Sequence, residues 1–198
     1  AVGSIALPVA RAVVAHAAVG AAEEALDALG RLRVLTARRT GAGGVGSWNQ
    51  WFESWLGVPS ERWFVGRPVL VTENDHRNRL YNGDLGVVVD VEGRRLAAFP
   101  DADGVRLVGP SRLQSIETSH AMTIHKAQGS EFDEVVVVLP PPTSPLATRE
   151  LLYTAVTRAR SAVTVIGDAD SVRAAVERRT VRRSRLAEGL LTESASAH

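Results

Sequence analysis

The sequence predicts an α/β fold in which a parallel sheet is interrupted by a small antiparallel β unit. Three features carry the prediction. Two β-branched runs, residues 134–139 and 162–166, are flanked by helical spacing, the pattern of parallel strands covered on both faces. A third strand pattern lies far upstream at residues 31–36, behind amphipathic helical segments. Between them, from Gly66, the texture changes to short β-like runs separated by turn residues.

Residues 8–29 carry apolar groups at helical spacing (Val9, Val13, Val14, Ala17, Ala25, Leu26, Leu29), broken near Gly20 and stopped at Gly30. Two short packing helices are expected. Residues 31–36 alternate and read as a strand. A glycine-rich turn follows, then a helix with Trp48, Trp51, Phe52 and Trp55 at i, i+3, i+4 and i+7, a packing face more than a base-stacking platform.

In the β region, strands are expected at residues 67–72, 85–91, 94–99 and 105–108. Glu92-Gly93 and Asp101-Ala102-Asp103-Gly104 supply hairpin chemistry where positive φ is needed. A small antiparallel barrel over residues 65–116 is the economical reading. Strand and helix alternation resumes with residues 116–122, 135–139 and 161–167. Between the last two, Leu151, Leu152, Ala155, Val156 and Ala159 form one helical arc, with Arg158 and Arg160 on its opposite borders.

At 198 residues and 45% apolar, the chain suffices for one or two compact domains. No apolar run approaches the roughly 18 residues of a membrane span, and no signal-peptide layout opens the sequence, so a soluble, cytoplasmic protein is expected. The absence of Cys excludes disulfides and thiolate metal sites. A net charge of +1 hides an asymmetry: residues 149–185 hold nine Arg against four acids, a skew that favours phosphate-bearing partners. Of the 23 basic residues only Lys126 is lysine, so no G-x-x-x-x-G-K-[ST] phosphate loop is present. Any nucleotide must be handled without it.

Thr123, His125, Lys126, Gln128 and Glu131 crowd the approach to the strand at 134–139, and such a cluster is costly to hold near a core unless it forms a site. Upstream, Gly41-x-Gly43-x-x-Gly46 matches the dinucleotide fingerprint. Against that reading, no acid ends a strand about 20 residues on, and Arg38 and Arg39 suit a terminal phosphate better than a ribose.

The segment His125-Lys-Ala-Gln-Gly-Ser-Glu-Phe132, within residues 121–132, resembles motif V of superfamily 1 DNA helicases. Residues 150–160, centred on Tyr153-Thr-Ala-Val-Thr-Arg-Ala, resemble motif VI; residues 34–49 are similar to motif IV. Tyr81-Asn-Gly-Asp-Leu-Gly86, within residues 66–89, looks like the barrel segment these proteins insert before motif V. Within the superfamily the resemblance is to the RecD branch, and it covers nearly the whole chain.

The resemblance implies the second RecA-like motor domain (residues 1–64 and 117–190) with an inserted Src-homology-type barrel (65–116) and a disordered tail (191–198). A first, N-terminal motor domain would carry the phosphate loop and the Mg²⁺-binding acids. ATP with Mg²⁺ would bind mainly there, with no metal ligated by this chain. Arg158 would be the arginine finger and Arg39 a second phosphate clamp. Gln128, Gly129 and Glu131 would meet the nucleotide, Gly129 by close backbone approach and Glu131 at a ribose hydroxyl. Thr123, His125 and Lys126 would face single-stranded DNA, with Arg79 and Asn82 touching its backbone from the barrel. The activity implied is ATP-dependent 5′ to 3′ unwinding in double-strand break repair, on single- and double-stranded DNA, with RecB and RecC subunits as partners and no membrane. The alternatives are a non-catalytic DNA-binding module and a dinucleotide-binding enzyme.

Overall fold

The computed structural model describes residues 1–58 and 63–180; the tail expected over 191–198 lies outside them. Helices α1 (Val2–Ala18) and α2 (Ala22–Arg31) part where Gly20 takes a φ of +74°. Helix α2 runs through Gly30 instead of stopping there, and leads directly into β1 (Leu32–Thr36). After the glycine-rich loop come α3 (Val45–Leu56) and β2 (Pro68–Val71). Then follow β3 (Leu85–Val91), β4 (Arg94–Asp101), β5 (Gly104–Val108), a 3₁₀ turn (Pro110–Arg112) and β6 (Ile116–Thr118). The chain ends with β7 (Ala121–Thr123), β8 (Phe132–Val138), α4 (Arg149–Val156), β9 (Ala159–Ile166) and α5 (Ala169–Glu177).

Two sheets result. One is wholly parallel, in the order β7-β1-β8-β9; the other is antiparallel, in the order β5-β4-β3-β2-β6. Strand β1 is flanked on both sides, so Arg33 to Thr36 are all buried instead of alternating in and out. Its neighbours show the two-residue period of a sheet covered on both faces. Val34, Ala121 and Val136 pack with α1 and α3, whereas Leu35, Met122, Val135 and Val137 pack with α4. Strand β9 is an edge: Arg160, Ser161 and Ala162 are exposed, so the expected cover on both faces holds for β8 and not for β9.

Helix α1 is a strut between the sheets. Its first half places Val2 and Ala6 against the parallel sheet, while Val13 and Ala17 pack on Val87 and Val89 of β3. The two come so close that a Cβ on Gly66 (φ +85°) would lie 2.7 Å from the Val14 Cα. The Glu92-Gly93 turn takes the positive φ values (53° and 76°) that a two-residue hairpin requires. Among the described residues no ladder joins β5 to β6, so the observed unit is a five-stranded antiparallel sheet.

Two local expectations change. Of the aromatic stripe on α3, Trp48 and Phe52 are buried, but Trp51 (42%) and Trp55 (38%) stay partly exposed. The run expected as one strand at 116–122 divides at Ser119-His120, because β6 pairs with β2 in one sheet and β7 with β1 in the other.

Candidate functional site

The segment resembling motif VI folds as helix, tight turn and strand, not as one helix to residue 160. Thr148 caps α4 by accepting from the Leu151 N–H. The helix closes as Arg158 N–H reaches the Ala155 carbonyl, and Phe132 N–H then captures the Arg158 carbonyl at 2.9 Å to start the β8–β9 ladder. Ala159 and Arg160 therefore lie on β9 rather than on a helical arc. The half-buried Arg158 guanidinium donates to Thr154 O (3.2 Å), Ser130 O (3.3 Å) and Thr157 Oγ1 (3.2 Å). Three of its five N–H donors are thereby used, and among the described residues no acid pairs with the group. Beside it, exposed Arg160 pairs with Glu131 at 3.2 Å, and Gly129 (φ +88°) turns the chain with open space where a Cβ would stand. Gln128, Gly129 and Glu131 are all exposed. Arg158, Arg160 and Glu131 thus form one solvent-facing cluster at the amino edge of the parallel sheet.

The carboxyl edge holds a second cluster. The loop after β1 is pinned by α3: Val45 N–H donates to Arg38 O and Gly46 N–H to Arg39 O. Arg39 forms an ion pair with Glu117 of β6, and Lys126 Nζ approaches the other oxygen of that carboxylate at 3.1 Å. Lys126 N–H in turn donates to Thr123 Oγ1 at 3.2 Å. Arg39, Thr123, Lys126 and Glu117 share a cavity of about 210 Å³. His125 is exposed on the same turn.

Arg39, expected as a second phosphate clamp, does not lie beside Arg158. Thr36, which precedes the Arg39 loop, is level with Val138, and Arg158 precedes Ala159, which is level with Phe132. Six residues of strand separate the two levels, roughly 20 Å at 3.3 Å per residue. Nor is the polar cluster buried as expected: His125, Gln128 and Glu131 face solvent, and Thr123 and Lys126 are only partly covered.

On the antiparallel sheet, Arg79 (φ +52°) and Asn82 are exposed on a polar loop; Arg79 lies 3.8 Å from Asp101, and Asn82 N–H donates to Asn74 Oδ1. Gly83 and Asp84, immediately after Asn82, share a cavity of about 340 Å³ with Ser130, Glu131 and Phe132. The Asn82 turn thus adjoins the amino-edge cluster, whereas Thr123 and Lys126 belong to the other edge.

The glycine string does not form an open cradle. The amides of Gly44, Val45 and Gly46 donate to Gly41 O, Arg38 O and Arg39 O, so none of the three is left for a pyrophosphate. That removes the geometric basis of the dinucleotide reading.

Three residues escaped the sequence reading. Glu117 gave no signal beyond an acid in a strand. Arg33 and His120 are the buried polar pair at the seam of the two sheets. Arg33 donates to Ser119 O (2.6 Å) and Leu29 O (3.2 Å), lies 5.1 Å over the Phe132 ring, and is lowered to a pKa of about 10 by burial. It thereby ties down both ends of the segment from Ser119 to Phe132. His120 stacks on Phe52 at 5.2 Å, and burial, with Arg33 and Arg67 nearby, holds its pKa down at about 3. No group of His, Cys, Asp or Glu suited to a metal occurs among the described residues.

Residues 118–166 match the family described as the UvrD-like helicase C-terminal domain. Over 179 residues, 88% of the chain, the sequence is 49% identical to the RecBCD enzyme subunit RecD of Mycolicibacterium smegmatis and spans 32% of that protein. It is 38% identical over 77% of its length to the RecD subunit of Haemophilus influenzae, spanning 24% of it. A further relative is the ATP-dependent RecD2 DNA helicase of Deinococcus radiodurans, 40% identical over 62% of the chain and 17% of that protein. The chain thus spans a third or less of the length of these curated relatives. The Pif1 helicase of Candida albicans superposes with a TM-score of 0.53 at 17% identity, covering 82% of this chain and 50% of that one. Bacteroides Pif1 bound to ssDNA gives 0.50 at 16% identity, covering 83% and 46%. Those two likenesses show a shared fold, and over most of its length the chain is homologous to the RecD subunits.

Proposed function

We propose that this chain is part of the second motor domain of an ATP-dependent 5′ to 3′ DNA helicase. In this reading the amino edge of its parallel sheet serves ATP and the carboxyl edge serves single-stranded DNA. The observation that carries the reading is Arg158, held by three carbonyl or hydroxyl acceptors, with no acid on it among the described residues, beside exposed Gly129 and Glu131.

Phosphoryl transfer to water needs little covalent help; protein groups position the reactants and offset charge gathering on the phosphate oxygens. The delocalised guanidinium of Arg158 keeps its charge and offers a planar fork of donors suited to phosphate. It would act as the arginine finger. Arg160 and Glu131 form an exposed pair of the kind worth little in water, so either can exchange its partner for a nucleotide group at small cost. ATP with Mg²⁺ would be held mainly by another motor domain, because this chain has one lysine and no phosphate loop. When bound, Mg²⁺ would offset charge on the transferring phosphate.

The antiparallel sheet would be a barrel of the Src-homology type inserted over residues 65–116; its Arg79 and Asn82, on the amino-edge side, would touch the DNA backbone away from the strand's contacts with Thr123 and Lys126. RecB and RecC subunits are the partners the RecD relatives suggest. In the full-length protein, Arg158→Ala should leave ATP binding intact and lower DNA-stimulated hydrolysis by roughly 10³-fold or more. Unchanged turnover would favour a non-catalytic DNA-binding module instead.

A further inference from the structure

We propose that Glu117 is a built-in competitor for a nucleic-acid phosphate. Its carboxylate holds Arg39 and Lys126 together in the nucleic-acid-free state, and a backbone phosphate takes its place when a strand binds. The proposal rests on the reading that the carboxyl edge meets DNA, and adds how that edge is kept in check.

Four observations carry it. The only lysine among 23 basic residues turns to the same carboxylate as Arg39. The two cations come from loops of the parallel sheet, whereas Glu117 reaches over from β6 of the antiparallel sheet. All three line a cavity of about 210 Å³ with the Thr123 side of the turn, so the carboxylate sits where an anion has room. Among the described residues, two cations facing one acid leave one positive charge uncompensated.

Displacement is chemically easy. The side chains of Glu117, Lys126 and Arg39 are 38%, 33% and 66% exposed, and ion pairs that wet hold weakly. A phosphodiester carries the same single charge as a carboxylate and can accept from both cations and from the Thr123 hydroxyl at once. The Arg39 backbone is fixed by the α3 amides, so the basic pair is already placed before a phosphate arrives.

The experiment measures binding of a labelled oligothymidylate to the full-length protein across a salt series. Glu117→Gln should tighten binding by about three- to tenfold, with the melting temperature little changed because the ion pairs are partly wet. Arg39→Gln and Lys126→Gln should each weaken binding and lower the salt slope by about 1. In the Arg39→Gln background, Glu117→Gln should gain less than it does alone. Unchanged or weaker binding by Glu117→Gln, with both cation variants weakened, overturns the competitor role and spares the DNA reading. Cation variants that bind like the parent overturn both.

Discussion

Arg39 and Arg158 stand at opposite edges of one parallel sheet, one beyond the carboxyl end of β1 and the other before the amino end of β9. Roughly 20 Å of strand separates them. In the function proposed here, two arginines so placed serve two ligands. The turn from Thr123 to Glu131 joins the edges, so a nucleotide at one end and a DNA strand at the other would be coupled through a single short segment.

That segment depends on Arg33. Its guanidinium anchors Ser119 O and lies over Phe132, and it also satisfies Leu29 O at the end of α2. Arg33→Ala should lower unfolding stability by about 3 kcal/mol or more, because it opens a cavity and strips donors from buried carbonyls. Chemical denaturation measures this; a loss below about 1 kcal/mol would show that the seam closes without it.

His120 sets the response to acid. Its pKa falls from the ordinary 6.5 to about 3 in the fold, so between those values the unfolded chain binds a proton that the folded chain refuses. Stability should therefore be at its full value above pH 6.5 and decline as pH drops toward 3, by about 2 kcal/mol between pH 6.5 and 5. Carboxylates held low by hydrogen bonds, such as Asp75 and Asp168, act only further down, in the ordinary carboxylate range. His120→Phe should flatten the upper part of the curve. A wild-type protein whose denaturation midpoint is constant from pH 7 to 5 contradicts this.

Gly66 is the contact point of α1 with the antiparallel sheet. Gly66→Ala combines a left-handed φ with a Cβ 2.7 Å from Val14 Cα, and should cost about 2 kcal/mol or more. A thermal melt within a degree of wild type would mean that α1 can move aside.

Much of the fold was legible locally. The break at Gly20, the Glu92-Gly93 hairpin and the apolar run in β8 each declare themselves within a few residues. What stayed hidden needed long-range register. Nothing near Ser119 says that the chain changes sheets there, and nothing near Arg160 says that Phe132 will draw the chain out of its helix one residue after Val156 and Thr157. The exposure of Trp51 and Trp55 depends on how little of α3 the parallel sheet can cover. Similarity to known motifs named the residues of both clusters apart from Glu117, yet only strand order reveals that Arg39 belongs with Lys126 and not with Arg158. Glu117 was invisible because one of its two partners, Arg39, lies 78 residues away.

The most direct test compares two single variants of the full-length protein in two assays, oligothymidylate binding and DNA-stimulated ATP hydrolysis at saturating DNA. Arg158→Ala should bind the strand as wild type does while hydrolysis collapses; Arg39→Ala should lose strand affinity while hydrolysis at saturating DNA survives. If both variants lose hydrolysis alone, with strand binding untouched in each, the two edges do not divide the work and the assignment is wrong.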